Sequence, residues 1–130
     1  MNSWLIDTHV WLWMSMAPEK ITPAALEFLE DPKQTLYLSA ASSWEISIKY
    51  QLGKLPLPEP PGRFIAARLL RDRVQFLPIL LQHTTRVADL PAHHLDPFDR
   101  LLVAQAQTEK LTLVSADRKL VPYDVDLLLT

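Results

Sequence analysis

Short apolar runs alternating with segments of helical spacing constrain this chain more than any other feature of it. The runs at residues 4–7, 36–39, 74–78, 111–115 and 125–129 each have the length and β-branched or leucine-rich character of a buried strand. Helical patterns separate them. A short one begins at Thr8, and residues 22–30 open on Thr22 with Pro23 at the first helical position. Residues 40–52 follow Ser39 as a cap, carry Trp44, Ile48 and Leu52 on one stripe, and stop at Gly53. Residues 64–73, 83–90 and 97–109 complete the set. Strand–helix alternation of this kind dictates crossover units and a mostly parallel sheet covered on both faces. The expected fold is therefore α/β, with five strands in one domain spanning residues 1–130. The proline-rich stretch from Leu55 to Gly62 is too short for an interdomain linker and reads as a stiff surface loop.

Composition removes several classes of function. The formal net charge of -2 gives no global positive field, so any nucleic acid must be held by a local patch. The absence of cysteine excludes disulfide frameworks, thiolate zinc sites and cysteine nucleophiles, and points to a reducing, cytoplasmic setting. Two glycines, Gly53 and Gly62, cannot build a P-loop or a dinucleotide turn. The apolar N-terminus lacks a basic leader and is broken by Asp7, Thr8 and His9, so neither a signal peptide nor a membrane span is expected.

The acidic residues carry the chemistry. Asp7 lies where the first strand should end, and Asp117 just past the fourth. Ligands of open parallel sheets gather beyond the carboxyl ends of the strands, so these two residues can meet in space. Glu45 lies one to two turns into the helix after the second strand, and Asp99 lies in the first turn of the helix before the fourth. Each acid has a plainer role open to it. Asp7 can cap the helix starting at Thr8, Asp117 can serve a turn, and Glu45 can pair with Lys49 at i,i+4. Asp96 is suited to capping the helix that begins at Pro97. A capping habit does not explain four acids on four elements near one rim. Converging carboxylates repel unless a hard cation neutralises them, and oxygen ligands select Mg²⁺ or Mn²⁺, which can activate water against a phosphodiester.

At these residues the sequence resembles the PIN-domain family, and within it the VapC-like toxins of bacterial toxin–antitoxin pairs. The resemblance covers essentially the whole chain. It rests on Leu5-Ile-Asp-Thr8, on Ser43-Trp-Glu-Ile-Ser-Ile-Lys49 with Gly53-Lys-Leu55, on His94-Leu-Asp-Pro-Phe-Asp-Arg-Leu-Leu-Val-Ala-Gln105, and on Leu113-Val-Ser-Ala-Asp117. It implies a Mg²⁺-dependent endoribonuclease on a five-stranded parallel sheet, dimeric and silenced by a cognate antitoxin. It also implies that Asp7, Glu45 and Asp99 hold the metal and Asp117 completes the cluster, with Ser115 or Thr8 hydrogen-bonding beside them. Many relatives place another acid shortly after the fourth. Here Arg118 and Lys119 follow instead, which removes the basis for a second metal site.

Other residues invite smaller claims. Trp4 and Trp44 fall on the expected inward faces and read as core, whereas one of Trp11 and Trp13 is free for a dimer or antitoxin contact. Adjacent His93 and His94 do not make a zinc site, and His94 reads as loop packing, with a hydrogen bond near the acidic cleft left open by its place in the His-x-Asp-Pro-Phe-Asp motif. Lys49, Lys54, Arg68, Arg71, Arg100 and Arg118 are the candidate contacts to RNA phosphates. Two other functions stay open: a catalytically silent module that binds protein, and a housekeeping RNA-processing nuclease without an antitoxin. A phosphatase built on an aspartyl nucleophile needs a second aspartate two residues on, which Asp7-Thr8-His9 lacks.

Overall fold

The computed structural model describes residues 3–130. Five strands, β1 (Ser3–Ile6), β2 (Thr35–Ser39), β3 (Gln75–Leu77), β4 (Thr112–Ser115) and β5 (Leu127–Leu129), form one sheet in the order β3-β2-β1-β4-β5. Every pairing is parallel. The helices are α1 (Thr8–Met16), α2 (Pro23–Glu30), α3 (Ala40–Gln51), α4 (Pro61–Asp72), α5 (Leu81–Arg86) and α6 (Pro97–Glu109).

Alternation along the strands produces two cores, one on each face. Ile6, Leu36, Leu38 and Val114 pack with Val10 and Trp11 of α1, Leu29 of α2 and Phe64 of α4. Leu5 and Leu113 point the other way, onto Leu102, Val103 and Ala106 of α6. α3 belongs to neither layer alone: Ala41 joins the second core and Ile46 the first.

The helix ends follow local chemistry. Thr22, Ser39 and Asp96 each cap a helix through the side chain, and Pro23 and Pro97 occupy first helical positions. Three expectations need correction. α4 starts at Pro61 rather than residue 64, because a proline at the first helical position lets the end of the proline-rich loop become helix. The segment expected as one helix over 83–90 is α5 followed by a 3₁₀ turn at Val87–Asp89. The stripe expected on α3 is wrong: Trp44 is 59% exposed and Leu52 62%, while Ala41, Ser42, Glu45 and Ile46 are the buried positions. Among the described residues no helix is long and apolar enough to cross a membrane.

Candidate active site

Asp7 follows β1 directly, and its N–H extends the ladder by donating to the Val114 carbonyl at 2.9 Å. Its Oδ1 caps α1 by accepting the Val10 N–H at 2.8 Å, and its Oδ2 accepts the hydroxyl proton of Ser115. Ser115 ends β4, the neighbour of β1, so two central strand ends hold one carboxylate. The Ser115 oxygen also accepts the Asp117 N–H at 3.0 Å, which folds the chain after β4 back over the rim. Asp117 then accepts the Lys119 N–H at 3.0 Å. The capping role weighed for Asp7 and the turn role weighed for Asp117 are both real, and neither excludes the cluster.

Asp99 reaches the same rim from α6. Asp96 accepts the N–H groups of Phe98 and Asp99 at 2.8 and 3.2 Å, which leaves the Asp99 carboxylate free of capping. Its Oδ2 lies 2.9 Å from His94 Nε2, and that nitrogen is 3.2 Å from Asp117 Oδ2. His94 is therefore part of the acidic group, a correction to its reading as loop packing. Its place in the His-x-Asp-Pro-Phe-Asp motif leaves this role open, but the loop preceding Asp96 has no periodicity from which to infer where a side chain points. The loop is held by Arg100, whose guanidinium donates to the carbonyls of Val87, Leu90, Pro91 and His94 and to the Tyr123 hydroxyl. Tyr123, in turn, accepts the His94 N–H at 2.9 Å.

Electrostatics ties the acids together. Burial pushes the Asp7 carboxyl above its ordinary range, the Ser115 and Val10 hydrogen bonds and His9 pull it back, and the charge of Asp117 adds to the rise. Asp99 is pushed up to about 6, mainly by burial, then by the charges of Asp96 and Asp7, against the pull of His94. Both carboxyls are raised, the opposite of an ordinary salt-bridged aspartate.

Glu45 is also buried, but its Oε2 lies 2.8 Å from Lys49 Nζ, the i,i+4 pair that its sequence spacing suggests. Among the described residues it makes no hydrogen bond or ion pair with Asp7, Asp99 or Asp117. Its link to them runs through the helix, where Ser42 accepts the Thr8 hydroxyl proton at 2.9 Å. Thr8 thus joins α1 to α3 rather than bonding a carboxylate.

The donor set fits a hard divalent cation. Ligand atoms from His94, Asp99 and Asp117 all lie within 4.8 Å of one another, a spacing that one ion can bridge. Asp7, whose charge acts on Asp99, adds a further carboxylate to this rim, whereas Glu45 stays paired with Lys49, so the donor set is mainly carboxylate oxygen. A single imidazole among carboxylates differs from the thiolate- and imidazole-rich sets of structural zinc sites.

The expected phosphate-binding cations are mostly engaged. Lys49 pairs with Glu45, Arg71 with Asp72 at 2.8 Å, Arg68 lies over the Phe64 ring at 5.1 Å, and Arg100 braces the His94 loop. Arg118 is exposed beside Asp117 and has no side-chain partner among the described residues. A cleft of about 620 Å³ opens beside Thr35 and Gln75, the first residues of β2 and β3. That is the opposite end of the strands from the acids.

Comparison with known proteins agrees with the fold. The family model described as PIN domain matches residues 4–125. Ribonuclease VapC22 of Mycobacterium tuberculosis is 28% identical over 121 residues, 92% of this chain and 91% of that protein. Ribonuclease VapC16 of the same organism is 38% identical over 71 residues, 53% of this chain, and that match spans 50% of the relative. Among solved structures, VapBC2 from Rickettsia felis bound to a DNA fragment from their promoter superposes with a TM-score of 0.74 at 16% identity, covering 98% of each chain.

Proposed function

Because this chain belongs to the PIN-domain family, we propose that it is a Mg²⁺- or Mn²⁺-dependent endoribonuclease that cuts single-stranded RNA in the cytoplasm as the toxin of a toxin–antitoxin pair. The observation that carries the reading is geometric: His94 Nε2 stands 2.9 Å from Asp99 and 3.2 Å from Asp117, and ligand atoms of the three lie within 4.8 Å of one another at the rim where Asp7 ends β1. Acids that served only as caps would stand apart.

Asp7, Glu45, Asp99 and Asp117 would hold the cation, which when bound supplies Lewis acidity and neutralises charge at the phosphodiester. The chain does the rest. Ser115 and the Val10 N–H fix the two oxygens of Asp7 in direction. Asp96 takes the capping role and leaves Asp99 to the cleft. The His94 Nε2, between Asp99 and Asp117, holds these two carboxylates together against their repulsion. Glu45 or Asp99 orients the attacking water. Arg118, exposed beside Asp117 with no side-chain partner among the described residues, is a cation available to an RNA phosphate.

A cognate antitoxin is the expected partner, silencing the enzyme by presenting an Arg or Lys to the acidic cleft. The similarity of this fold to VapBC2 from Rickettsia felis, solved bound to a DNA fragment from their promoter, supports that expectation. A homodimer is the expected assembly. The test is to incubate purified protein with a cellular RNA pool, in Mg²⁺ or in chelator, and map the new ends. Ends that appear only with the cation support the reading, and none under either condition favours a silent protein-binding module. A nuclease that is active yet harmless when overexpressed, with no small partner recovered from its host, is a housekeeping enzyme.

A further inference from the structure

The core contains a chain of hydrogen bonds that the proposed reaction does not use. Ser39, His83 and Gln105 are all fully buried. The Ala41 N–H donates to Ser39 Oγ at 2.9 Å, so the Ser39 hydroxyl proton goes to Gln105 Oε1. Gln105 Nε2 donates to the Pro78 carbonyl at 3.2 Å and to His83 Nδ1 at 3.3 Å. His83 Nδ1 also accepts the Leu80 N–H at 3.0 Å, so its ring proton sits on Nε2, 2.7 Å from Glu109 Oε2. No other orientation of the amide or tautomer of the ring satisfies these donors and acceptors together.

Two contacts fix how α3 and α6 run past each other. Ser39, capping α3, meets Gln105 late in α6. Trp44, further along α3, meets Phe98 at the start of α6, with ring centroids 5.3 Å apart. Advancing along one helix means retreating along the other, so the pair is antiparallel. Glu45 lies six residues after Ser39, and Asp99 six before Gln105. At 1.5 Å per residue, both carboxylate-bearing residues stand about 9 Å up their helices from the same clasp. A slip of one residue moves a ligand by about 1.5 Å, whereas metal–ligand distances tolerate about 0.2 Å.

We propose that Gln105 is a positioning residue: its amide, locked by Ser39 on one side and by Pro78 and His83 on the other, sets the register of α3 against α6 and so the separation of Glu45 and Asp99. Glutamine is suited to the place because it accepts toward Ser39 and donates twice toward the other side. Methionine fills the same volume and does neither. The inference rests on the metal-dependent activity proposed above, and goes beyond it by naming what aligns the two helices.

The test follows Mn²⁺-dependent melting and RNA cleavage in wild type, Gln105→Met, Ser39→Ala and Ser39→Thr. Gln105→Met and Ser39→Ala should bind Mn²⁺ on the order of tenfold more weakly and lose kcat to a similar extent, with KM for RNA within about twofold of wild type. Ser39→Thr keeps the hydroxyl and should behave as wild type. If Gln105→Met does not fold, Ser39→Ala, which removes a single oxygen, carries the test. Variants that melt lower but keep wild-type Mn²⁺ affinity and kcat would show that the chain of bonds only stabilises the core, and overturn the proposal. A wild type that neither rises in Tm with Mn²⁺ nor cuts RNA instead sinks the functional reading, and this inference with it.

Discussion

Asp99 Oδ2 stands 2.9 Å from His94 Nε2, and the same nitrogen stands 3.2 Å from Asp117, so one imidazole bridges two acids that have no other partner between them. Asp99 is nevertheless raised to about 6, because burial and the charges of Asp96 and Asp7 outweigh the ring. Burial above all, and neighbouring charge after it, strain the ionised site.

That strain has a sign. A carboxyl whose folded pKa lies above its unfolded value gives no penalty at low pH. It destabilises the fold progressively from the ordinary aspartate value of 3.8 up to about 6, and fully above that. Metal-free Asp99→Asn should therefore melt above wild type at pH 7 by roughly 3–6 °C, and the gap should close near pH 4. Saturating Mn²⁺ should shrink or reverse it, because only wild type binds well. Differential scanning calorimetry against pH checks this, and a lower Tm for Asp99→Asn at pH 7 without metal would make Asp99 a structural partner.

Asp7 combines two roles that separate by substitution. Asparagine can still accept the Val10 N–H and cap α1, whereas alanine cannot. Both Asp7→Asn and Asp7→Ala should be inactive, but Asp7→Ala should be less stable than Asp7→Asn by about 1 kcal/mol in urea unfolding. Equal stabilities would mean that the cap contributes nothing.

His94 holds the Asp99 pKa down, so His94→Ala should move it further up. A carbon-detected NMR titration of the Asp99 carboxyl, in metal-free protein, reads the shift directly. A downward move would mean that the ring does not act on Asp99 as its position implies.

Arg100 looked in sequence like a contact for RNA, yet its guanidinium braces the carbonyls of residues 87, 90, 91 and 94. Arg100→Met should destabilise the protein by about 2 kcal/mol and speed amide exchange around residue 94, since several charge-assisted hydrogen bonds to partly buried carbonyls are lost together. A variant that keeps its stability and loses only RNA affinity would restore the phosphate-binding role.

Much of this was readable because strand ends are readable. The short apolar runs place Asp7 and Asp117 at one rim of a parallel sheet, and Pro97 marks the helix start that puts Asp99 there. Trp44 shows where such reading stops. A helical stripe is read by assuming that the apolar side faces the core, but α3 straddles both cores beside the cleft and buries Ser42 and Glu45 instead. His94 was legible only in part, and Gln105 not at all, for a different reason. Their roles depend on side chains arriving from distant segments, Asp117 for one and Ser39 with His83 for the other, and no local pattern encodes such meetings.

The central claim is that these acids form one metal-dependent catalytic group, and the most direct measurement is cleavage of a labelled single-stranded RNA across a Mn²⁺ titration by wild type, Asp7→Asn and Asp99→Asn. The account predicts saturable, chelator-sensitive cleavage by wild type, and a loss on the order of a hundredfold or more in both variants while they remain folded. Cleavage that survives excess chelator, or that either folded variant retains at wild-type rate, would contradict it.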